Sequence, residues 1–231
     1  MLNQLKKELK DYSSPEKAEI YVRFFKTGKG EYGEGDVFLG LTVPEQRKLA
    51  QKYVDLKFND IKELLHSKYH EHRLTGLLIL VYKYEKASDK EKQKIIDFYL
   101  KHKHRGNNWD LIDCVAYKLL GKHIIDKDKS ILYELAKSES IWDKRIAIIT
   151  TFEFIRNKRF DDTIKISEIL LNDKHDLIQK AVGWMLREMG KRDGRELIKF
   201  LDKHYRKMPR TMLRYAVERL SKEKKDFYMK K

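Results

Sequence analysis

The sequence predicts an all-α fold, a curved solenoid of two-helix repeats in one domain over residues 1–231. Three observations predict it. Turn-forming residues are scarce, with 11 Gly and 3 Pro in 231 residues, which argues against an all-β sandwich or barrel. Helix-start signals recur before runs of helical periodicity. A charged marker followed by small and apolar residues returns at near-regular intervals.

The start signals come in chain order. Ser13-Ser14-Pro15-Glu16 places a Ser at or near the N-cap and Pro15 in the first turn. Ala18, Ile20, Tyr21, Phe24 and Phe25 then supply an apolar face. Thr42-Val43-Pro44-Glu45 leads into Leu49 and Tyr53, and Ser88-Asp89-Lys90-Glu91 into Ile95, Ile96 and Tyr99. No segment alternates as a half-buried strand would. The stretch Thr27 to Asp36 carries four glycines, follows no strand and lacks the Gly-Lys-Ser/Thr ending of a phosphate loop. It reads as an ordered connector.

The markers are Arg73, Asp113, Arg145, Lys180 and Arg214, spaced by 40, 32, 35 and 34 residues. That is the length of a helix pair in a degenerate HEAT-like array. In such a stack the second helix of each pair lines the concave face. Four basic markers there make a positive groove suited to phosphates. Asp113 reverses the sign of that column, so it needs either a structural partner or a task.

Composition constrains the partner. The 51 Lys+Arg against 36 Asp+Glu give a net charge of +15, which favours a polyanion, nucleic acid before an anionic membrane. A Lys-rich proteome would raise the total as well, but without clustering it. The single cysteine, Cys114, excludes an intramolecular disulfide and a Cys-cluster zinc site. No apolar stretch reaches membrane-spanning length and the N-terminus lacks a signal core, so a cytoplasmic protein is expected.

The segment Asn108-Trp109-Asp110-Leu111-Ile112-Asp113 holds the candidate chemistry. Trp109 and Asp113 are four apart and share one helix face. Asp110 lies off that face and reads as a capping or dipole-compensating residue. Asp113 reads equally as the partner of an ion pair with a residue such as Arg145, and Trp109 as a core side chain. Lys180 and Trp184 repeat the four-residue spacing, and Gly183 allows close backbone approach. Two indoles beside a carboxylate form an electron-rich cage that favours a cationic group. His70 with His72, and His102 with His104, stand two apart and share no helix face, so they read as surface histidines rather than ligands. Cys114 reads as a small core residue. The Lys-rich end from Ser221 to Lys231 reads as a solvated helix end.

At these residues the chain resembles a known family. Asn108 to Asp113, Trp142 to Phe152, Gln179 to Glu188 and Phe38 to Arg47 resemble, in order, the DNA alkylation repair family of HEAT-like-repeat DNA glycosylases (the AlkD type). The resemblance implies excision of cationic N3- and N7-alkylated purines from double-stranded DNA bound in the concave groove. It implies no metal, no cofactor and no deep base flipping. By the same resemblance, Asp113 matches the catalytic carboxylate, and Trp109 and Trp184 match the aromatic pair at the damaged nucleotide. Arg145 matches a residue holding the backbone beside the lesion. Arg73, Lys180, Arg187 and Arg214 are the other candidate DNA contacts, and a monomer is expected. The stretch Gly28 to Gly35 departs from the pattern, because it lengthens a link that is shorter in the branch with clear glycosylase activity. That branch carries an additional aromatic there, to which Tyr21, Phe24 or Tyr32 corresponds. Some relatives bind DNA without excising bases, so a non-catalytic duplex or branched-DNA binder is the alternative. A scaffold binding acidic peptides is a third reading.

Overall fold

The computed structural model describes residues 1–230, and the chain packs as two compact units that meet in sequence between Val115 and Ala116. The fold is all-α. Among the described residues the sole β feature is an isolated parallel bridge between Val37 and Tyr69. No helix among them is long and apolar enough to cross a membrane.

The first unit opens with α1 (Leu2–Asp11), α2 (Pro15–Phe24), α3 (Val43–Lys52), α4 (Phe58–Leu65), α5 (His70–Lys86) and α6 (Asp89–His102). A 3-10 turn at Lys103–Arg105 leads to the short α7 (Trp109–Asp113). The predicted starts are present. The Ser14 hydroxyl accepts the Lys17 N–H, with Pro15 at the first helical position. Thr42 with Glu45 and Ser88 with Glu91 form reciprocal capping boxes. Leu49, Tyr53, Ile95, Ile96 and Tyr99 are buried as their periodicity predicts.

The apolar face expected of α2 enters the core only at its end, where Phe25, just after the helix, is buried. No residue of α2 is buried, and Ile20 and Phe24 are more than half exposed. Only the Tyr21 side turns inward, where its ring meets Phe25 and Phe38 edge-on at 5.9 Å each.

Helix α5 is the axis of this unit, with α1, α3, α4, α6 and α7 all packed against it. It is therefore buried on nearly every side, and a helix in that position does not show a one-sided apolar stripe. Each Leu, Ile or Val it buries contributes roughly 1.5–3 kcal/mol. The same enclosure draws in its polar first turn, so His70, Glu71, His72 and Arg73 are all buried.

The second unit begins with a π-helical turn (Tyr117–Gly121) and α8 (Lys122–Ile124). It continues as α9 (Ser130–Ala136), α10 (Ile141–Arg156), α11 (Asp161–Ile169), α12 (Asp176–Gly190), α13 (Gly194–His204), α14 (Arg210–Ala216) and α15 (Lys222–Met229). Helices pack in successive pairs: α9 on α10, α11 on α12, and α13 with α14 on α12. This is the layering expected of a solenoid of helical repeats. Gly183 makes the α12–α14 contact possible, because a Cβ there would lie 2.5 Å from the Met212 carbonyl oxygen and 2.6 Å from Tyr215 Cβ. The Lys-rich end is helical over α15, and Lys231 lies outside the described residues.

The marker column has a structural register. Asp113, Arg145, Lys180 and Arg214 are each the fifth residue of their helix, and Arg73 is the fourth of α5.

Candidate active site

Helix α7 positions the candidate carboxylate. Asn108 is its N-cap, with Oδ1 accepting the Trp109 N–H at 2.8 Å. The helix runs one turn, which sets Trp109 and Asp113 on the wall of a single cavity of about 270 Å³ in the first unit. Tyr21, Phe24, Phe25 and Phe38 supply much of the remaining wall, and Cys114 lies beside Asp113. Both Trp109 and Asp113 are partly exposed.

Aromatic packing holds the indole. Trp109 lies near-parallel to Phe25, with centroids 5.2 Å apart and planes at 29°. Phe24 meets it edge-on at 5.7 Å. Phe25 in turn stacks on Phe38 at 5.2 Å. Offset and edge-on arrangements of this kind each add about 0.5–1.5 kcal/mol beyond the area they bury. Of the three aromatic candidates, Tyr21 and Phe24 line the cavity, whereas Tyr32 is not part of its wall.

A buried ionic cluster continues from this wall, to which His70 and Asp110 also belong. The His70 ring stacks on Phe38 at 4.7 Å and tilts against Phe25 at 5.1 Å. Its Nδ1 donates to Asp36 Oδ2 at 3.0 Å and its Nε2 to Asp110 Oδ2 at 2.8 Å. Asp36 also receives Arg73 Nη2 at 2.5 Å and Asn107 Nδ2 at 3.3 Å. Burial alone would lower the His70 pKa, but the charge and hydrogen bond of Asp110, then those of Asp36, outweigh it and raise it to about 9. Burial works against the Asp36 carboxylate too, yet the His70 hydrogen bond and the Arg73 charge hold it below the usual carboxylate range. Glu71 accepts the Leu39 and Gly40 N–H groups at 2.9 and 2.8 Å, tying the end of the connector to α5.

Several sequence expectations are corrected here. His70 and His72 are not surface residues; they are 2% and 8% exposed, because five helices pack around α5. His72 Nδ1 lies 2.9 Å from the Ser67 hydroxyl, and burial pushes its pKa down to about 4. His102 is buried as well. Asp110 does serve the first turn of α7, with Oδ1 accepting the Leu111 N–H at 2.9 Å, but its other oxygen belongs to His70. Cys114 is only partly buried.

Arg73 does not face an open groove. It is 3% exposed, and its guanidinium also donates to the Ser67 and Lys68 carbonyls at 3.1 and 3.2 Å. Arg145 is likewise 5% exposed, with Nη1 donating to the Leu177 carbonyl at 2.6 Å. Both long side chains are drawn inside because buried carbonyls and a buried carboxylate need donors.

The remaining candidates belong to the second unit. Lys180 is partly exposed and pairs with Asp176 at 2.6 Å, one turn earlier on α12. Trp184 is partly buried, with its Nε1 donating to Glu188 Oε1 at 3.3 Å and its ring 6.0 Å from Phe152. Arg187 bonds Glu218 and lies 3.6 Å from Glu188. Arg214 is exposed.

Sequence reasoning missed the Arg73–Asp36–His70–Asp110 cluster. Its members are 34 to 40 residues apart in pairs. Its one local signal is a first turn of four polar residues opening a helix whose middle, Leu77 to Val81, is an unbroken apolar run.

A model of the family described as DNA alkylation repair enzyme matches residues 5–220. A solved structure described as a predicted DNA alkylation repair enzyme from Enterococcus faecalis superposes with a TM-score of 0.71 over 91% of this chain and 97% of that one. The two are 17% identical, so the likeness is one of fold. A comparison with curated proteins gave no match.

Proposed function

The chain belongs to the DNA alkylation repair enzyme family, and from that premise we propose that it is a DNA glycosylase. It hydrolyses the N-glycosidic bond of cationic N3- and N7-alkylated purines in duplex DNA. The observation that carries this reading is the pairing of Trp109 and Asp113 on one turn of helix, at the wall of one aromatic cavity.

The chemistry suits those groups. An alkylated purine already carries positive charge, so it departs with the bonding electron pair as a neutral base and needs no strong general acid. Positive charge then develops on the deoxyribose. The Asp113 carboxylate stabilises it and orients a water, whose oxygen bonds to the anomeric carbon while its proton passes to the carboxylate or to solvent. The π-face of Trp109 holds the cationic sugar, and Trp184 is the other indole that the family resemblance implies. Phe24, more than half exposed and in contact with Trp109, is the aromatic best disposed to meet DNA. Lys180 and Arg214 are the basic markers with solvent-facing charge, and Arg187, paired with Glu218, is a further candidate contact. Arg73 and Arg145 act as internal braces.

The test is base release from methylated duplex DNA by the purified protein. Liberation of 7-methylguanine or 3-methyladenine above the spontaneous rate is expected, and EDTA leaves it unchanged. Salt-sensitive binding without release would leave a non-catalytic DNA-binding protein instead. Binding that hardly varies with salt would point to the acidic-peptide scaffold, because contact with roughly 6–10 phosphates makes affinity fall steeply.

A further inference from the structure

We propose that His70 is a positioning residue for Asp113, a buried clamp that fixes helix α7 to the glycine-rich connector. The inference rests on Asp113 and Trp109 being at the reacting centre. His70 is itself part of the cavity wall, but it is 2% exposed with both ring nitrogens engaged, so it holds α7 in place and does not act on substrate.

The geometry over-determines the ring. Both nitrogens are engaged, Nδ1 with Asp36 on the connector and Nε2 with Asp110 on α7. Phe25 and Phe38, 5.2 Å from each other, pack against the ring at 5.1 and 4.7 Å. A histidine can hold two carboxylates at once only as the imidazolium, because the neutral ring has a single N–H. The titratable groups around it are Asp36 from the connector, Glu71 and Arg73 from α5, Asp110 and Asp113 from α7, and Tyr21 from α2. With Arg73 on Asp36 and His70 between the two aspartates, the charges of these four residues cancel, while buried Glu71 is held by the Leu39 and Gly40 N–H groups. Loss of the His70 proton leaves one carboxylate without that donor in a nearly buried position.

That loss has a direct path to the chemistry. Asp110 and Asp113 belong to the same five-residue helix, and one turn of helix has little internal stability to resist a pull at its start. The same clamp sets Phe25, which is packed against both His70 and Trp109. A displacement of about 1 Å at a reacting group costs on the order of 10²-fold in rate.

The experiment pairs single-turnover base release with a resonance readout. In His70→Gln, release at saturating methylated DNA should fall about 10-fold or more, within that range. The dissociation constant for the same duplex should stay within about twofold, since no phosphate contact is removed. Against Asp110→Asn as background, His70→Gln should cost little more, because both act through one link. In the wild-type protein labelled with 15N-tryptophan, the Trp109 indole N–H signal, assigned by its loss in Trp109→Phe, should titrate with a midpoint near the His70 pKa of about 9. That titration should vanish in His70→Gln.

A folded His70→Gln variant releasing base at the wild-type rate overturns the proposal. So does a wild-type Trp109 signal that stays flat across that range, which decides the matter even if the variant does not fold. If the wild-type protein frees no base, the glycosylase reading fails, and the resonance titration still tells whether the clamp exists.

Discussion

Gly33 sits against Phe25 so closely that a Cβ at Gly33 would lie 2.5 Å from the Phe25 carbonyl oxygen and 3.1 Å from that of Lys26. The Gly33 N–H donates to the Lys26 carbonyl at 3.0 Å, so the connector folds back on the end of α2. Gly33→Ala should therefore push the connector off the cavity wall. A loss of roughly 1–3 kcal/mol is expected from the overpacking. Thermal unfolding of the variant checks it, and an unchanged melting temperature would refute the close approach.

Asp113→Asn keeps the size of the side chain and removes its charge. Base release should fall by about 100-fold or more, the usual contribution of a positioned general base. Affinity for undamaged duplex should hold or rise slightly, because a negative charge leaves a site that binds a polyanion. Gel-shift and release assays on one preparation separate the two quantities.

Arg73 and Arg214 should behave oppositely although both belong to the marker column. Arg73→Ala leaves the buried Asp36 short of a cation and should cost about 3–5 kcal/mol of stability. Arg214→Ala should leave the melting temperature unchanged and reduce the salt dependence of DNA binding by about one phosphate contact. Melting curves and salt titrations of the two variants test this contrast.

Two buried histidines set the pH dependence of stability. His70 has a folded pKa of about 9, above its unfolded value near 6.5, so its contribution is complete below pH 6.5 and is lost as pH rises towards 9. The full loss is about 3 kcal/mol at about 1.4 kcal/mol per pKa unit. His72 has a folded pKa of about 4, so it favours folding above pH 6.5 and destabilises as pH falls from there towards 4. Stability should peak near pH 6.5. In His70→Gln the alkaline decline should flatten while the acid decline stays.

Local signals were the legible part of the sequence. The Ser14 cap, the Thr42–Glu45 and Ser88–Glu91 boxes and the five-marker register all concern residues within a few positions of one another or a repeat length apart. Trp109 and Asp113 belong with these, since four-residue spacing on a helix brings two side chains to one face whatever surrounds them. The first turn of α5 was not legible. His70 and His72 look like solvated residues beside Arg73 and Glu71, and only the packing of α5 by five other helices makes them buried. The inward turn of Arg145 to the Leu177 carbonyl has the same origin.

The sequence by itself determined the helical class, the repeat length, the family and the pairing of Trp109 with Asp113, because each rests on short-range spacing or on a motif. Tertiary structure decided which charges remain on the surface. It turned Arg73 from a groove residue into the partner of Asp36, and His70 from a surface residue into the link between Asp36 and Asp110. The physical reason is that whether a charge stays solvated or is paired in the interior depends on what the remaining chain brings within 3 Å of it. Spacing along one helix carries no record of that.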